Sequence, residues 1–438
     1  MVSFLTYNLK VQKVVKLKVQ NSRINGELMV PGSKSQTIRA VVVATLAEGK
    51  SKIINPLVSG DTLSALNAAR RFGAEGVESK KCWEIRGTGG KLVKPTETVN
   101  LDNSGTSLRI FTGLAATADF PVRFDGDDSL RTRLMAPLLE ALGKIGVKSE
   151  STAGKCPLTV TGPLSGGSTE VEGKSSQFLT SLLFATPLAK KDTLIKVRNL
   201  NEKPYVEMTL DWLSRQGIQL SYSDDLSKFK IKGRQAYQPF EYTVPADFST
   251  ATFALAAAAV TGGTIRIPNL DFNDPQGDKA VFGFYEDMGV QMIKKSTYTE
   301  IRSSGKLNGV EIDLNATPDA LPALAVTACF AHGRTVLANV PQARIKETDR
   351  IAGITRELRK MGARITELED GLIIEGDEKL KGTALDGYND HRMVMALAIA
   401  GFGAEGETII SDAEAAAVTY PEFVQDFSQL GGLIQCVP

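Results

Sequence analysis

The chain has 438 residues, of which 42% are hydrophobic and 23% charged, a balance typical of a globular protein with a substantial core. A chain of this length is expected to form more than one domain. Its net charge of +1 excludes the basic excess that usually accompanies binding to nucleic acid or to a membrane surface. Any anion-binding site must therefore come from a local arrangement of charges.

The cysteine and histidine content argues against a metal site. The four cysteines form no C-x-x-C pair, which is typical of a reduced chain, and the two histidines, His332 and His391, are far apart in sequence. The N-terminal stretch is interrupted by lysines and has no small-residue cleavage site, so we expect no signal peptide. The longest apolar run, residues 253–260, is too short to span a bilayer. These features predict a cytoplasmic protein.

An internal repeat runs through the whole chain. Six segments read as an amphipathic helix, a glycine, a strand, a polar turn and a second strand. The glycines follow one another at intervals of 69 to 73 residues and are Gly73, Gly146, Gly217, Gly289, Gly362 and Gly431. Glycine just past a helix favours the left-handed conformation that ends it. The spacing predicts six α+β modules, and two domains of three modules each, with functional groups in the cleft between them.

Taken in chain order, the first unusual stretch is "VPGSKSQTIRA". Pro31 and Gly32 indicate a turn, and a serine can cap the helix that follows. Ser35 and Arg39 then share one helix face. These residues could equally form an ordinary capped helix with solvated cations.

The second stretch is "DNSGTSLRI", where small residues precede a helix and leave backbone N–H groups free near Gly105. The third is "GDDSLRTRL". Arg131 or Arg133 could clamp an anion, but either could instead pair with Asp127 or Asp128.

The fourth stretch, "EGKSSQF", places Ser175, Ser176 and Gln177 before a long apolar helix. Two hydroxyls at a helix start suit a phosphate. A P-loop is rejected because position 168, where its first glycine belongs, holds Ser168.

The fifth stretch is "RIKETDRIAGITREL", which we predict to be one helix with Lys346 and Arg350 on one face and Ile345 near the core. Glu347 and Asp349 balance the charge, and Asp349 could orient a neighbour. The alternative is a plain solvated helix start. In "GYNDHRM", Asp390, His391 and Arg392 lead into an apolar helix, and a lone histidine there is more often structural than catalytic.

The ordered series of these motifs resembles the 5-enolpyruvylshikimate-3-phosphate (EPSP) synthase family over about residues 25 to 430. The matching segments are "PGSKSQTIRA", "LDNSGTSLRI", "GDDSLRTR", "SSQFLTSLL", "KPYVEMTL", "TPDALPALAV", "RIKETDR" and "YNDHRM". The resemblance implies an α/β fold of two domains, each of three βαβαββ units. Domain 1 would hold residues 1–32 and 245–438, and domain 2 residues 33–244.

The resemblance also implies a reaction: transfer of the enolpyruvyl group of phosphoenolpyruvate to the 5-hydroxyl of shikimate-3-phosphate, with release of phosphate. It implies no metal or organic cofactor, a site that is the target of the inhibitor glyphosate, and a monomer whose partners are these two small substrates, with no nucleic acid and no membrane.

Site residues carry over by position. The catalytic residues would be Asp319 as general base toward the hydroxyl, Glu347 for proton transfer at the methylene carbon, Lys346 as acid or electrostatic partner, and Lys34, which would touch both substrates. The residues that bind shikimate-3-phosphate would be Lys34, Ser35, Arg39, Ser175, Ser176, Gln177, Tyr205, Asp319, Gln342 and Lys346. Those that bind phosphoenolpyruvate would be Lys34, Asn103, Gly105, Arg133, Gln177, Arg350 and Arg392.

The sequence departs from the family pattern at four positions. Glu202 stands where a serine usually precedes Lys-Pro-Tyr, and a carboxylate there would repel a bound phosphate unless it turned away or were offset by Lys174 or Lys203. Val418 replaces a lysine that some members carry, and Gln342 replaces a common asparagine. Ile110 replaces a frequent proline, which we expect to alter the helix entry at Gly105 and the response to glyphosate.

Two rival functions remain open at this point. One is the UDP-N-acetylglucosamine enolpyruvyl transferase of the same fold, which commonly uses a mobile-loop cysteine; none lies between Cys82 and Cys156. The other is a catalytically silent sensor of a phosphorylated metabolite, for which Glu202 and Val418 are the only support.

Overall fold

The computed structural model describes residues 15–377 and 379–438. The expectation that the first residues hold no signal peptide falls largely on residues 1–14, which lie outside this range. Within it, no helix combines the length and the hydropathy needed to cross a membrane.

The described residues form helices and strands in the alternation that the repeat predicts. The helices are α1 (Lys34–Leu46), α2 (Gly60–Arg71), α3 (Gly105–Ala115), α4 (Asp128–Thr132), α5 (Ala136–Gly143), α6 (Ser176–Ala185), α7 (Lys203–Arg215), α8 (Phe248–Thr261), α9 (Val281–Asp287), α10 (Leu321–Cys329), α11 (Arg350–Lys360), α12 (His391–Gly403) and α13 (Phe423–Gln429).

The strands are β1 (Lys16–Gln20), β2 (Asn25–Glu27), β3 (Lys50–Ile54), β4 (Glu75–Glu78), β5 (Cys82–Arg86), β6 (Val99–Asn100), β7 (Pro121–Asp125), β8 (Lys148–Thr152), β9 (Lys155–Thr161), β10 (Gly167–Glu172), β11 (Thr193–Arg198), β12 (Leu220–Tyr222), β13 (Lys228–Ile231), β14 (Glu241–Thr243), β15 (Thr264–Ile267), β16 (Gln291–Lys294), β17 (Thr299–Arg302), β18 (Leu307–Asn308), β19 (Glu311–Asp313), β20 (Ala331–His332), β21 (Arg334–Ala338), β22 (Arg364–Leu368), β23 (Gly371–Glu375), β24 (Ala384–Leu385), β25 (Glu407–Ile410) and β26 (Leu433–Val437).

Six four-stranded sheets repeat one pattern, in which a parallel pair is followed by two antiparallel pairs. Their strand orders are β14-β3-β5-β4, β6-β7-β9-β8, β10-β11-β13-β12, β2-β15-β17-β16, β19-β21-β23-β22 and β24-β25-β1-β26. Three sheets borrow a strand from a distant part of the chain. β14 completes the sheet of β3, β2 completes the sheet of β15, and β1 supplies the strand that the unit after Gly431 lacks. The prediction of six modules is confirmed, although the sixth is closed by the N-terminal strand.

The predicted helix-ending glycines all adopt positive φ, between 66° at Gly217 and 103° at Gly362. A side chain is disfavoured in this region, so glycine ends each amphipathic helix at low conformational cost.

The apolar core divides into two clusters. One contains buried residues from 38 to 244, and the other combines residues 17–30 with buried residues from 246 to 434. Two chain segments connect them side by side: Ser33 N–H donates to the Pro245 carbonyl over 2.8 Å and Asp247 N–H to the Pro31 carbonyl over 2.9 Å. We propose that the domain boundaries lie at these connections, near residues 32 and 245.

Candidate active site

Five of the six repeats contribute a buried helix whose first turn lines the cleft between the domains, and the other places Asp319 there, directly before α10. In domain 2 these helices, α1, α3 and α6, begin after Ser33, Ser104 and Ser175, and each serine hydroxyl accepts a hydrogen bond from the helix backbone. In domain 1, α8 and α12 begin after Asp247 and Asp390, which cap in the same way. A neutral cap leaves the positive end of a helix available to anions, whereas an aspartate offsets it. The two walls of the cleft therefore differ in charge at their helix starts.

The cleft has an empty volume of about 980 Å³, its open mouth included. It collects fifteen of the sixteen residues that the sequence assigns to the site: Lys34, Ser35, Arg39, Gly105, Arg133, Ser175, Ser176, Gln177, Tyr205, Asp319, Gln342, Lys346, Glu347, Arg350 and Arg392. Asn103 lies behind the lining, where its side-chain oxygen accepts a hydrogen bond from the Arg133 guanidinium. Residues more than 300 positions apart in sequence thus meet in one place.

Arg350 organises the carboxylates of the cleft. Its guanidinium is 1% exposed and donates to Asp390 over 2.8 and 3.1 Å, to Asp319 over 2.9 Å and to Glu347 over 2.7 Å. Burial alone would lower the pKa of Arg350, but the three carboxylates outweigh it and raise the pKa above its ordinary value. Arg350 therefore fixes two of the predicted catalytic carboxylates in position.

Asp319 lies in the 3-10 turn Pro318–Ala320, directly before α10. Besides Arg350, it contacts the Arg392 guanidinium at 3.1 Å and the Lys346 ammonium at 3.6 Å. Burial by itself would raise the pKa of Asp319, but Arg392, Lys346 and Arg350 outweigh it and hold the pKa well below its ordinary value. The carboxylate is therefore ionised in the cleft.

Glu347 connects the two domains. Its second oxygen lies 3.3 Å from the Arg133 guanidinium of the opposite wall. Burial would raise the pKa of Glu347, but Arg133 and Arg350 in particular hold it well below its ordinary value. Gly105 makes room for this contact, since a Cβ there would lie 2.6 Å from a terminal nitrogen of Arg133.

The helix start of α6 carries the predicted hydroxyl pair. Gln177 joins it to α3, accepting from Arg109 over 2.6 Å and donating to Thr106 over 3.0 Å. Burial lowers the pKa of Arg109 to about 10, so its guanidinium stays charged at neutral pH. Ser176 donates its hydroxyl to Glu202 over 2.7 Å.

Arg39 and Tyr205 form one unit on the domain 2 wall. Arg39 donates to the Tyr205 carbonyl over 2.8 Å and to the Ser35 carbonyl over 3.0 Å, so this guanidinium supports the site from within the protein. The Tyr205 hydroxyl crosses the cleft and donates to Asp278 over 2.8 Å. Burial and then Asp319 raise the pKa of Asp278 to about 7.

The remaining predicted residues lie at the edges of this arrangement. The Lys34 ammonium pairs with Asp61 at 3.1 Å. Gln342 is buried and donates to the Asn315 carbonyl over 2.9 Å.

The helix predicted from residue 344 is wrong at its start. Residues Pro341–Ile345 form a 3-10 turn, and α11 begins only at Arg350 because Asp349 caps it by accepting from the Ala352 N–H over 3.0 Å. Lys346 consequently lies outside the helix and points its ammonium across the cleft to Glu202. Ile345 is 43% exposed, which contradicts its predicted place near the core.

The alternative that these arginines only pair with nearby aspartates is correct for Arg131 and wrong for Arg133. Arg131 pairs with Asp125 at 2.8 Å and with Asp128 at 3.3 Å on the surface. Arg133 instead turns into the cleft. Nothing in their local sequence separates these two arginines.

The cleft lining also contains residues that were not predicted as site residues, among them Asp61, Arg109, Glu202 and Asp278. Arg109 carried a usable signal, because it follows Gly105 by one helical turn in a quoted motif. Glu202 carried one too, because it stands where the family usually has a serine before Lys-Pro-Tyr. Asp61 and Asp278 carried none, since each depends on a partner distant in sequence.

Several buried polar atoms of the cleft have no hydrogen-bond partner among the described residues. They belong to Arg109, Arg133, Ser249, Asp278, Gln342, His391 and Arg392. Buried polar atoms are usually paired, so such a cluster indicates where a polar ligand binds. Opposed cations, serine-capped helix starts and two ionised carboxylates between two domains define an enzyme that performs acid–base chemistry on anionic substrates.

Comparison with known proteins identifies the family. A family model described as EPSP synthase (3-phosphoshikimate 1-carboxyvinyltransferase) matches residues 19–427. The chain is 49% identical to the 3-phosphoshikimate 1-carboxyvinyltransferase of Acetivibrio thermocellus, over 95% of this chain and 98% of that protein. It is 47% identical to that of Ruminiclostridium cellulolyticum, over 96% and 100%. A solved EPSP synthase from Acinetobacter baumannii superposes with a TM-score of 0.81 at 26% identity, over 97% of this chain and all of that one. The chain belongs to the EPSP synthase family and is a transferase.

Proposed function

We propose that this cleft transfers the enolpyruvyl group of phosphoenolpyruvate to the 5-hydroxyl of shikimate-3-phosphate and releases phosphate, the reaction of the shikimate pathway. The observation that carries the proposal is the pair Asp319 and Glu347, two ionised carboxylates held by one buried arginine at the interface of the two domains.

Shikimate-3-phosphate would bind mainly to domain 2. Ser175 and Ser176 at the start of α6 provide hydroxyl and backbone donors for a phosphate. Tyr205, supported from behind by Arg39, would lie against the ring, and Asp319 would face the reacting hydroxyl from the opposite domain. Ser35, Lys34, Gln177, Gln342 and Lys346 line the same space.

Phosphoenolpyruvate would bind between Arg133 and Arg392, which line the cleft from different domains, with Lys34 and Gln177 in the same lining. Arg133 and Arg392 each keep a buried Nε without a partner among the described residues. Arg350 would act mainly by orienting the carboxylates, since three acids already occupy its guanidinium. Asn103 positions Arg133, and Gly105 leaves the space that Arg133 requires.

The chemistry divides between two carboxylates. A proton is added to the methylene carbon C3 of phosphoenolpyruvate, which makes C2 electrophilic. The 5-hydroxyl forms a bond to C2 and gives its proton to Asp319. A proton then leaves C3 as the C2–O bond to phosphate breaks. Glu347 transfers the proton to and from C3, and the surrounding cations stabilise the departing phosphate.

Binding of the anionic substrate would itself prepare Glu347 as an acid. Arg133 and Arg350 hold the pKa of Glu347 low, while burial works in the opposite direction. Phosphoenolpyruvate would offset the charge of Arg133. Burial would then dominate, and the pKa of Glu347 would rise. The carboxyl could then carry the proton that C3 receives.

Phosphate release tests the proposal. Wild type should release phosphate only when both substrates are present, and Asp319→Ala should lower kcat by roughly 10²–10⁴-fold. Asp224→Ala, which removes an exposed aspartate, is the control and should leave kcat unchanged. Release with UDP-N-acetylglucosamine in place of shikimate-3-phosphate would identify the rival transferase, and tight binding without release would identify a sensor.

We also propose a monomer that acts in the cytoplasm. The location is supported by the four cysteines, which lie in the described part of the chain and are free thiols, two of them buried. A sedimentation experiment on the purified chain tests the monomer.

A further inference from the structure

Glu202 is a buried acid in an unusual backbone conformation. It has φ 56° and ψ 42°, in the left-handed region that few residues other than glycine adopt, and it is 2% exposed. It stands at the N-cap of α7, yet its side chain makes no capping hydrogen bond to that helix. The backbone instead directs the carboxylate toward a different helix.

One carboxylate oxygen of Glu202 occupies the start of α6. It accepts from the Ser176 N–H over 3.2 Å and from the Ser176 hydroxyl over 2.7 Å. The other oxygen accepts from the Lys346 ammonium of domain 1 over 2.5 Å. A helix-start amide, a hydroxyl and a lysine are the donors that commonly bind a phosphate group.

The segment that carries Glu202, residues 201–205, is also a main contact between the domains. Asn201 accepts from Asn315 over 3.0 Å, and Tyr205 donates to Asp278 over 2.8 Å. Pro204 packs so closely on Gly277 that a Cβ at Gly277 would lie 2.3 Å from the Pro204 Cβ. The Glu202–Lys346 ion pair lies in the middle of this contact.

We infer that Glu202 is an internal anion that competes with the substrate phosphate for Ser176 and Lys346, and that holds the two domains together through Lys346. This inference rests on the proposed function for the identity of the phosphate-bearing substrate. When the phosphate binds, the Glu202 carboxylate gives up these donors, and the substrate takes over the connection between the domains. Glu202 therefore lowers the affinity for the phosphate and stabilises the domain contact.

The competition predicts a selective change in affinity. Glu202→Ser and the isosteric Glu202→Gln should each lower KM for shikimate-3-phosphate by about tenfold, because a charge-assisted competitor is removed, while KM for phosphoenolpyruvate changes less than about threefold. The inhibition constant of inorganic phosphate against shikimate-3-phosphate should fall in parallel. Glu207→Ser, which removes an exposed acid from the same helix, controls for the loss of one negative charge.

The domain contact gives a second readout. Small-angle scattering of Glu202→Gln should show a larger radius of gyration than that of wild type, and shikimate-3-phosphate should return it to the wild-type value.

An unchanged or higher KM for shikimate-3-phosphate in both variants would overturn the inference, and so would an equal effect of Glu207→Ser. If wild type releases no phosphate, the proposed function fails, but calorimetric binding of inorganic phosphate to wild type and Glu202→Gln still decides whether Glu202 competes. If the serine variant does not fold, the glutamine variant carries the test.

Discussion

Arg350→Gln should destabilise the protein far more than its surface neighbour Arg344→Gln. Arg350 is 1% exposed and balances Asp319, Glu347 and Asp390, so its removal leaves three buried carboxylates with fewer partners. Breaking a buried ion pair from one side typically costs about 3–5 kcal/mol, on the order of 10 °C in Tm. Arg344 also makes two ion pairs, but its side chain is 26% exposed, and we expect a loss of at most about 1 kcal/mol.

The sign of the pH dependence gives a further check. In wild type the depressed pKa values of Asp319 and Glu347 contribute stability that is present above their unfolded pKa values and is lost only as pH falls through the folded ones. Without Arg350 both pKa values rise, so both groups protonate at mild acid. The loss in free energy of unfolding caused by Arg350→Gln should therefore be smaller at pH 5 than at pH 7.5. The difference should be about 1 kcal/mol for each unit by which the pKa of a carboxylate has risen.

Equilibrium urea denaturation of the two variants and wild type at both pH values measures these quantities. A loss for Arg350→Gln no greater than for Arg344→Gln, or a deficit that grows toward acid, would refute the assignment of Arg350 as the hub of the carboxylates.

Three further predictions concern the domain contact and the helix starts. Burial raises the pKa of Asp278 to about 7, so its contribution to the free energy of unfolding falls as pH rises from about 4 to 7. Asp278→Asn should abolish this fall, measured as the urea midpoint at each pH, and an unaltered fall would contradict the assignment. Gly277→Ala should push Pro204 away and raise KM for both substrates several-fold, whereas Gly283→Ala, where no atom lies within 4 Å of an added Cβ, should not. Ile110→Pro should change the glyphosate inhibition constant by altering the entry of α3; an inhibition curve that superposes on wild type would count against this.

Local signals predicted the helix starts and ends well. Ser33, Ser104 and Ser175 cap helices because capping depends on residues only two or three positions apart. Gly73 and Gly362 end helices because the positive φ needed there depends on the residue itself. The helix start predicted at residue 344 was wrong because Asp349 is the stronger cap, so the helix begins only at Arg350.

The electrostatic pairing could not be predicted locally. Lys346 and Glu202 are 144 positions apart, and their meeting depends on how two domains face each other. A sequence pattern indicates that Arg131 and Arg133 are cations near a turn, but only the packed structure decides which one has surface aspartates within reach and which one turns inward.

The paired connections between the domains limit how they can move. Gly32 and Ala246 form an antiparallel bridge, and α1 and α8 begin within two residues of it. Two antiparallel segments side by side resist sliding and twisting of one domain against the other, so we expect a swing about the line through the bridge to be the easiest motion. Lys34 begins α1 directly after this bridge, so a swing would change the position of its ammonium relative to domain 1.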